Sequence, residues 1–215
     1  MSCPLYVQQA YEKKKWAFVT DYVRLKLIYE HGGVYFDTDV ELLKKIDDFL
    51  DYSAFFGLED EEHVATGLGF GAEKGTPILD ELMSDYDDIP FVLDDGTLDI
   101  LPCPQRNLSV FKANGLIKSE QVQELHGGVM VFPKHVFCPK DYVTGEMKKT
   151  KDTVSIHWFS ASWHSKEEQK SHEKFVRSRK RALRKDYLLH LPNHILIKIL
   201  GEEKYARLKA KLRKN

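Results

Sequence analysis

Asp37 and Asp39 are carboxylates two positions apart at the end of the apolar run in EHGGVYFDTDVE, residues 30–41. Ionised aspartates are hard oxygen ligands, and Mg2+ or Mn2+ is typically held by one or two carboxylates together with substrate phosphates. Residues i and i+2 of an extended strand face the same side, so this spacing predicts that Asp37 and Asp39 project together with Thr38 turned away. A cation held there could bridge a diphosphate and neutralise a leaving nucleotide. The alternative is a pair of solvated turn carboxylates, because Asp39-Val40-Glu41, Glu59-Asp60-Glu61 and Asp85-Tyr86-Asp87 fit the same loose acidic pattern.

The elements that would position these aspartates are legible on either side. One helix is expected from about Leu5 to Glu30, with Pro4 suiting its first turn and His31-Gly32-Gly33 its stop. Asp21 and Arg24 lie three residues apart on one face of it, the spacing of an ion pair. Val34-Tyr35-Phe36 reads as a short buried strand whose C-terminal end meets the ligand crevice of an open α/β sheet. Further strands are expected at residues 54–59, 66–73, 128–132 and 153–159. Helices are expected from Pro77 to about Tyr86 and from Gln105 to Asn114, the latter ended by Gly115. The mixture defines an α/β chain.

The chain has 215 residues, 42% of them hydrophobic, enough for one sizeable domain with an appendage. No apolar run approaches the ~20 residues of a membrane span, and the N-terminus has no apolar leader. Three widely spaced cysteines match no zinc pattern and suggest a reducing compartment, so the expected location is cytoplasmic. The net charge of −1 hides a division. Residues 166–215 hold 16 Lys/Arg and 6 Asp/Glu, a net +10, which leaves 16 and 27, a net −11, for residues 1–165. The expected domains are therefore 1–165 and a basic helical extension, 166–215. Its Ile195, Leu196, Ile199 and Leu200 stand among lysines, which suits peripheral contact with the anionic inner face of a membrane or packing against the body. No reading motif accompanies the charge, so nucleic acid is not expected as a partner.

WAFVTDYVRLKLIYEHGGVYFDTDVELLKKID, residues 16–47, resembles the DXD-containing sugar-binding region of glycosyltransferase family 32. That family includes yeast initiating mannosyltransferases and bacterial capsular-polysaccharide glycosyltransferases, and the clostridial glucosylating toxins carry a related arrangement. GLEDEEHVATGLGFGAEKGTPILDEL and SIHWFSASW look like its central and C-terminal segments. The resemblance implies a GT-A fold, a Rossmann-like core for nucleotide-diphospho-sugars. The βαβ region that ordinarily precedes the helix is expected to be missing here.

The resemblance also implies site roles. Asp37 and Asp39 would bind Mn2+ or Mg2+ and the donor diphosphate, and Asp21 and Arg24 would contact the donor sugar. His157 would be a metal or phosphate ligand, Trp163 a lid residue, and Ser160 and Ser162 phosphate donors or helix caps. Thr66, Gly67 and Glu73 would line the acceptor side. His157 and Trp163 could equally be structural, since a strand histidine or a tryptophan is commonly part of a core. The implied reaction is a retaining hexosyl transfer from a nucleotide-sugar, a UDP-sugar ahead of a GDP-sugar, to a glycan or lipid-linked acceptor in surface-polysaccharide synthesis. The rival expectation is a non-catalytic remnant that binds sugar-nucleotide or glycan, weakly if the nucleotide edge is lacking.

Overall fold

The computed structural model describes residues 3–160 and, beyond them, residues 174, 176–178, 181, 182 and 185, which are helical. The chain divides into two units, Met1–Trp163 and His164–Asn215. The first carries every described element discussed below. Expectations for Ser162, Trp163 and most of the basic extension fall outside the described residues.

Where one N-terminal helix was expected, there are two, α1 (Leu5–Glu12) and α2 (Trp16–His31). Lys14 takes a left-handed conformation (φ 57°), and the Lys15 N–H reaches back to the Ala10 carbonyl at 2.9 Å. This six-to-one closure ends a helix in the Schellman manner, with lysine where glycine is usual. The break folds α1 back on α2, so Tyr6, Val7 and Ala10 share a core with Tyr22, Leu25 and Ile28. A continuous helix would have left the α1 stripe in water.

Among the described residues seven strands follow: β1 (Gly33–Tyr35), β2 (Val40–Leu42), β3 (Ala54–Gly57), β4 (Phe70–Ala72), β5 (Gln123–Leu125), β6 (Val129–Phe132) and β7 (Ser155–His157). Five form one sheet in the order β1-β4-β3-β6-β5, while β2 and β7 pair separately. The β3–β6 pair is parallel and the others antiparallel. It follows that β1, β3 and β6 run the same way and bring their C-terminal ends to one edge. This is a mixed α/β unit, compatible with a GT-A-like domain.

The sheet buries both faces. On one, Phe56 and Phe70 stack at 5.4 Å within the core that α1, α2 and α3 (Pro77–Ser84) complete. On the other, Phe55 packs with Leu68, Phe132 and Phe137, the last from α6 (Lys134–Phe137).

Several expected elements differ in detail. β1 is a half-exposed edge strand rather than a buried one, since only β4 pairs with it. The expected strand at 66–73 is a 3-10 turn (Thr66–Leu68) followed by β4, with Gly69 at φ 121° between them. A side chain at Gly69 would strike the Phe36 ring, its Cβ 2.3 Å from the nearest ring carbon, so glycine permits the close approach. The helix expected at 105–114 starts earlier and divides at Asn107 into α4 (Cys103–Arg106) and α5 (Leu108–Ala113).

Candidate metal and donor-sugar site

Asp37 and Asp39 do converge, though by a turn and not by strand alternation. β1 ends at Tyr35, and the Val40 N–H donates to the Asp37 carbonyl at 3.1 Å, closing a four-residue turn. β2 begins directly after it and pairs Val40 with His157 of β7. That pairing sets the imidazole beside the aspartates. His157 Nε2 lies 3.0 Å from Asp39 Oδ1 and 3.9 Å from Asp37 Oδ2. One ligand atom from each of the three residues falls within 4.8 Å of the other two.

The cluster is held from several directions. The Ser160 N–H donates to Asp39 Oδ2 at 2.7 Å, and the Trp158 N–H donates to the Asp39 carbonyl at 3.0 Å. The Tyr35 hydroxyl donates to Asp37 Oδ1 at 2.7 Å, and Arg24 Nη1 stands 3.4 Å from the same oxygen. Burial holds the His157 pKa below the usual imidazole value, against the opposing pull of Asp39 and Asp37, which favours the neutral ring a metal ligand requires.

These groups fit a hard divalent cation. Two carboxylates and a neutral imidazole converge, and only one shared ring proton can lie between them. With that proton on Nε2, the buried Nδ1 keeps an unpaired lone pair; with it on Nδ1, the Nε2 lone pair faces two anions. Nδ1 has no hydrogen-bond partner among the described residues. A cation among Asp37, Asp39 and Nε2 would take up the Nε2 lone pair and offset the two carboxylate charges, with the ring proton on Nδ1. Carboxylate oxygens favour Mg2+ or Mn2+.

Behind the cluster lies the Asp21–Arg24 pair, expected as an ordinary helix-face ion pair and found with Arg24 buried and Asp21 only 13% exposed. Arg24 is only 5% exposed, and its Nη2 meets Asp21 Oδ1 at 2.6 Å. Its Nε donates to the Thr20 carbonyl at 3.0 Å, and its guanidinium lies 5.2 Å from the Tyr35 ring centroid. Burial opposes the charge on Arg24, but the carboxylates of Asp21 and Asp37 outweigh it and keep the guanidinium protonated. For Asp21 burial prevails and raises the carboxyl pKa, with Arg24 opposing. Breaking such a pair costs several times more than breaking a surface one, because it strands a buried charge.

Gly67 closes the site from the 3-10 turn. Its carbonyl accepts the Asp37 N–H at 3.3 Å. A Cβ there would lie 2.4 Å from Asp37 Oδ2 and 3.0 Å from Arg24 Nη1. Thr66 is fully buried with its hydroxyl 3.8 Å from the Cys103 thiol. Glu73 is exposed and follows β4, which pairs Ala72 with Gly33 at the opposite end of β1 from Asp37, so it is not brought to the cluster.

Two participants escaped the sequence reading. Tyr35 stands two residues before Asp37, and strand periodicity could have marked it as sharing that face. Arg106 had no local signal. It meets Asp99 Oδ2 at 2.7 Å between the rings of Tyr6 and Tyr86, with centroid distances of 4.9 and 5.3 Å, and it is a second cation acting on Asp21.

Residues 2–56 match a family model described as a glycosyltransferase sugar-binding region containing a DXD motif. The match covers about a quarter of the chain, spanning α1 and α2, the aspartate turn and nearly all of β3. The class this similarity defines is glycosyltransferase-like, with a sugar-binding region, and the Asp37-Thr38-Asp39 turn is its DXD. No curated protein matches the chain, and no solved structure does.

Proposed function

We propose that this protein is a divalent-metal-dependent, retaining glycosyltransferase. It would transfer a sugar from a nucleotide-sugar, a UDP-sugar ahead of a GDP-sugar, to a glycan or lipid-linked acceptor in surface or capsular polysaccharide synthesis. The observation that carries the reading is the meeting of Asp37, Asp39 and His157 in front of the buried Asp21–Arg24 pair.

Asp37, Asp39 and His157 would hold Mn2+ or Mg2+, which when bound supplies positive charge against the departing nucleoside diphosphate. The chain's own groups do the remaining work. The Ser160 N–H and the Tyr35 hydroxyl fix the carboxylate rotamers, so little reorganisation is left for the moment of transfer. Asp21 offers a carboxylate to a sugar hydroxyl, while Arg24 ties it to Asp37, coupling the donor-sugar contact to the cation site. We place the activity at the cytoplasmic face of a membrane, with the basic extension as the contact.

The test is hydrolysis of UDP-sugars by the full chain with Mn2+, comparing wild type with Asp39→Ala. Loss of one carboxylate ligand is expected to reduce turnover by about 10^2- to 10^3-fold, in line with removal of a principal transition-state electrostatic group. Hydrolysis that survives the substitution or ignores chelator would refute the reading. Binding of a UDP-sugar with no turnover in either protein would favour the non-catalytic alternative.

A further inference from the structure

Beyond the C-terminal ends of β3 and β6 lies a groove of about 770 Å3, within the range of about 300–1,000 Å3 typical of small-ligand clefts. Its walls are the 60–62 loop, the 118–121 segment and parts of 133–150. Both main walls are connected to the candidate metal site, one along the chain and one through packed side chains. On one side, the loop that begins at Glu59 runs seven residues on to the Thr66–Leu68 turn, where Gly67 touches Asp37 and Arg24. On the other, the ring of Tyr142, next to the lining residue Asp141, packs 5.0 Å from Phe159, which in turn lies 4.2 Å from the His157 ring. Lys140 adds a second link, donating to the carbonyl of Trp158, whose N–H holds Asp39.

We propose that this groove is the acceptor site and that it takes a saccharide free of anionic groups. The proposal rests on the glycosyltransferase reading above, because only a sugar donor at Asp37 and Asp39 makes the adjoining groove an acceptor site. The lining is the complement of a carbohydrate surface. Sugar hydroxyls donate and accept at once, and the walls alternate ammonium donors with carboxylate acceptors. Lys134 pairs with Asp141 at 3.0 Å and Lys118 with Glu61 at 2.6 Å, so each wall presents both kinds of group.

The sign of the lining makes the choice among saccharides. The lining holds six carboxylates and three lysines, and Lys112 pairs with Glu62 at 3.2 Å from just outside it. The remaining excess is two negative charges, Asp60 and Glu120, which disfavours uronates and phosphorylated sugars relative to neutral or amino sugars. This electrostatic selection is separate from the cation site, which would bind the anionic part of the donor.

The experiment is saturation-transfer NMR on the full chain with three probes: methyl glucoside, methyl glucosaminide and methyl glucuronide. The first two are expected to receive saturation, with the glucuronide at least fivefold weaker. Glu61→Lys combined with Glu120→Lys should reverse that order. Both side chains are exposed, so folding is not at stake, and Lys148→Ala, at an exposed lining position that touches neither Glu61 nor Glu120, supplies an independent variant expected to weaken the neutral glycoside. Saturation unchanged by all these substitutions, or a glucuronide preferred by wild type, overturns the groove. Donor hydrolysis is measured alongside. A wild type that hydrolyses UDP-sugars yet binds no glycoside overturns the groove alone, whereas glycoside binding without any hydrolysis overturns its role as an acceptor site.

Discussion

Arg24 is the residue on which the site turns. A 5%-exposed guanidinium survives because its donors face Asp21, Asp37 and the Thr20 carbonyl and its plane lies beside Tyr35. The tightest restraint on this arrangement is a missing side chain. Alanine at Gly67 would place its Cβ 2.4 Å from Asp37 Oδ2 and 3.0 Å from Arg24 Nη1, and the atom that must yield first is the carboxylate oxygen that neither Tyr35 nor Arg24 holds. Gly67→Ala is therefore expected to fold, with a melting temperature lowered by only a few degrees, yet to bind Mn2+ at least tenfold more weakly, because ligand groups tolerate displacements of only about 0.5 Å. Isothermal calorimetry with Mn2+ alone decides this, and wild-type affinity in the variant would remove Asp37 from the ligand set. Tyr35→Phe is milder. It deletes one hydrogen bond to Asp37, worth about 1 kcal/mol, so a loss of about fivefold in Mn2+ affinity is expected in the same titration. The spacing of Asp21 and Arg24 was legible in the sequence, but their burial was not. Three-residue spacing looks identical on a solvated face and in a core, and distant groups, among them Gly67 beside Arg24 and Cys103 beside Asp21, separate the two.

At the scale of elements, what was legible was local. The Gly32-Gly33 stop, the α3 start at Pro77 and the apolar strands β3 and β6 follow from residue types within a few positions. What was missed depends on distant partners. β2 (VEL) and β5 (QEL) are three residues long with a charged residue at the centre, and β2 exists because it pairs with β7 more than a hundred residues later. That pairing also explains why residue spacing alone left His157 between ligand and structural histidine. The segment after α6 offers an element-scale prediction. Asp141 is partly buried, which opposes ionisation, but N–H donation from Thr144 and the ammonium of Lys134 outweigh that and hold its pKa at about 2. A depressed folded pKa contributes stability above the unfolded value of about 3.9, lost as pH falls toward 2. The side chain is 37% exposed, so solvent screening reduces the linkage term to about 1 kcal/mol. Asp141→Asn should accordingly destabilise the protein by about 1 kcal/mol at pH 7, with the difference vanishing near pH 2. Urea unfolding at pH 7, 4 and 2 measures it, and a difference independent of pH would mean that the carboxylate charge is not what ties this groove wall together.

At the scale of the whole molecule, the question is why a chain of net charge −1 is divided into a −11 portion, residues 1–165, and a +10 portion, residues 166–215. Solubility does not require the division, since interspersed charges would serve it as well. A separate basic segment would be able to bind an anionic surface, and a lipid-linked acceptor would give such binding a use. Near an anionic surface each Lys or Arg contributes about 1 kcal/mol, so a fraction of the 16 basic groups in the extension would suffice for reversible attachment. None of the described helices is long and apolar enough to cross a membrane, so attachment of this kind would rest on charge and on Ile195, Leu196, Ile199 and Leu200. The expected result is that the full chain sediments with phosphatidylserine-containing vesicles at about 0.1 M salt and hardly at all with neutral phosphatidylcholine vesicles, whereas a chain ending at Ser165 stays in the supernatant with both. Salt divides the two contributions. At about 1 M the screening length falls to about 3 Å, so attachment by charge alone collapses, and a fraction that persists belongs to the apolar residues. Equal partitioning of the two chains would detach the basic extension from any role at the membrane and leave its charge to be explained within the protein.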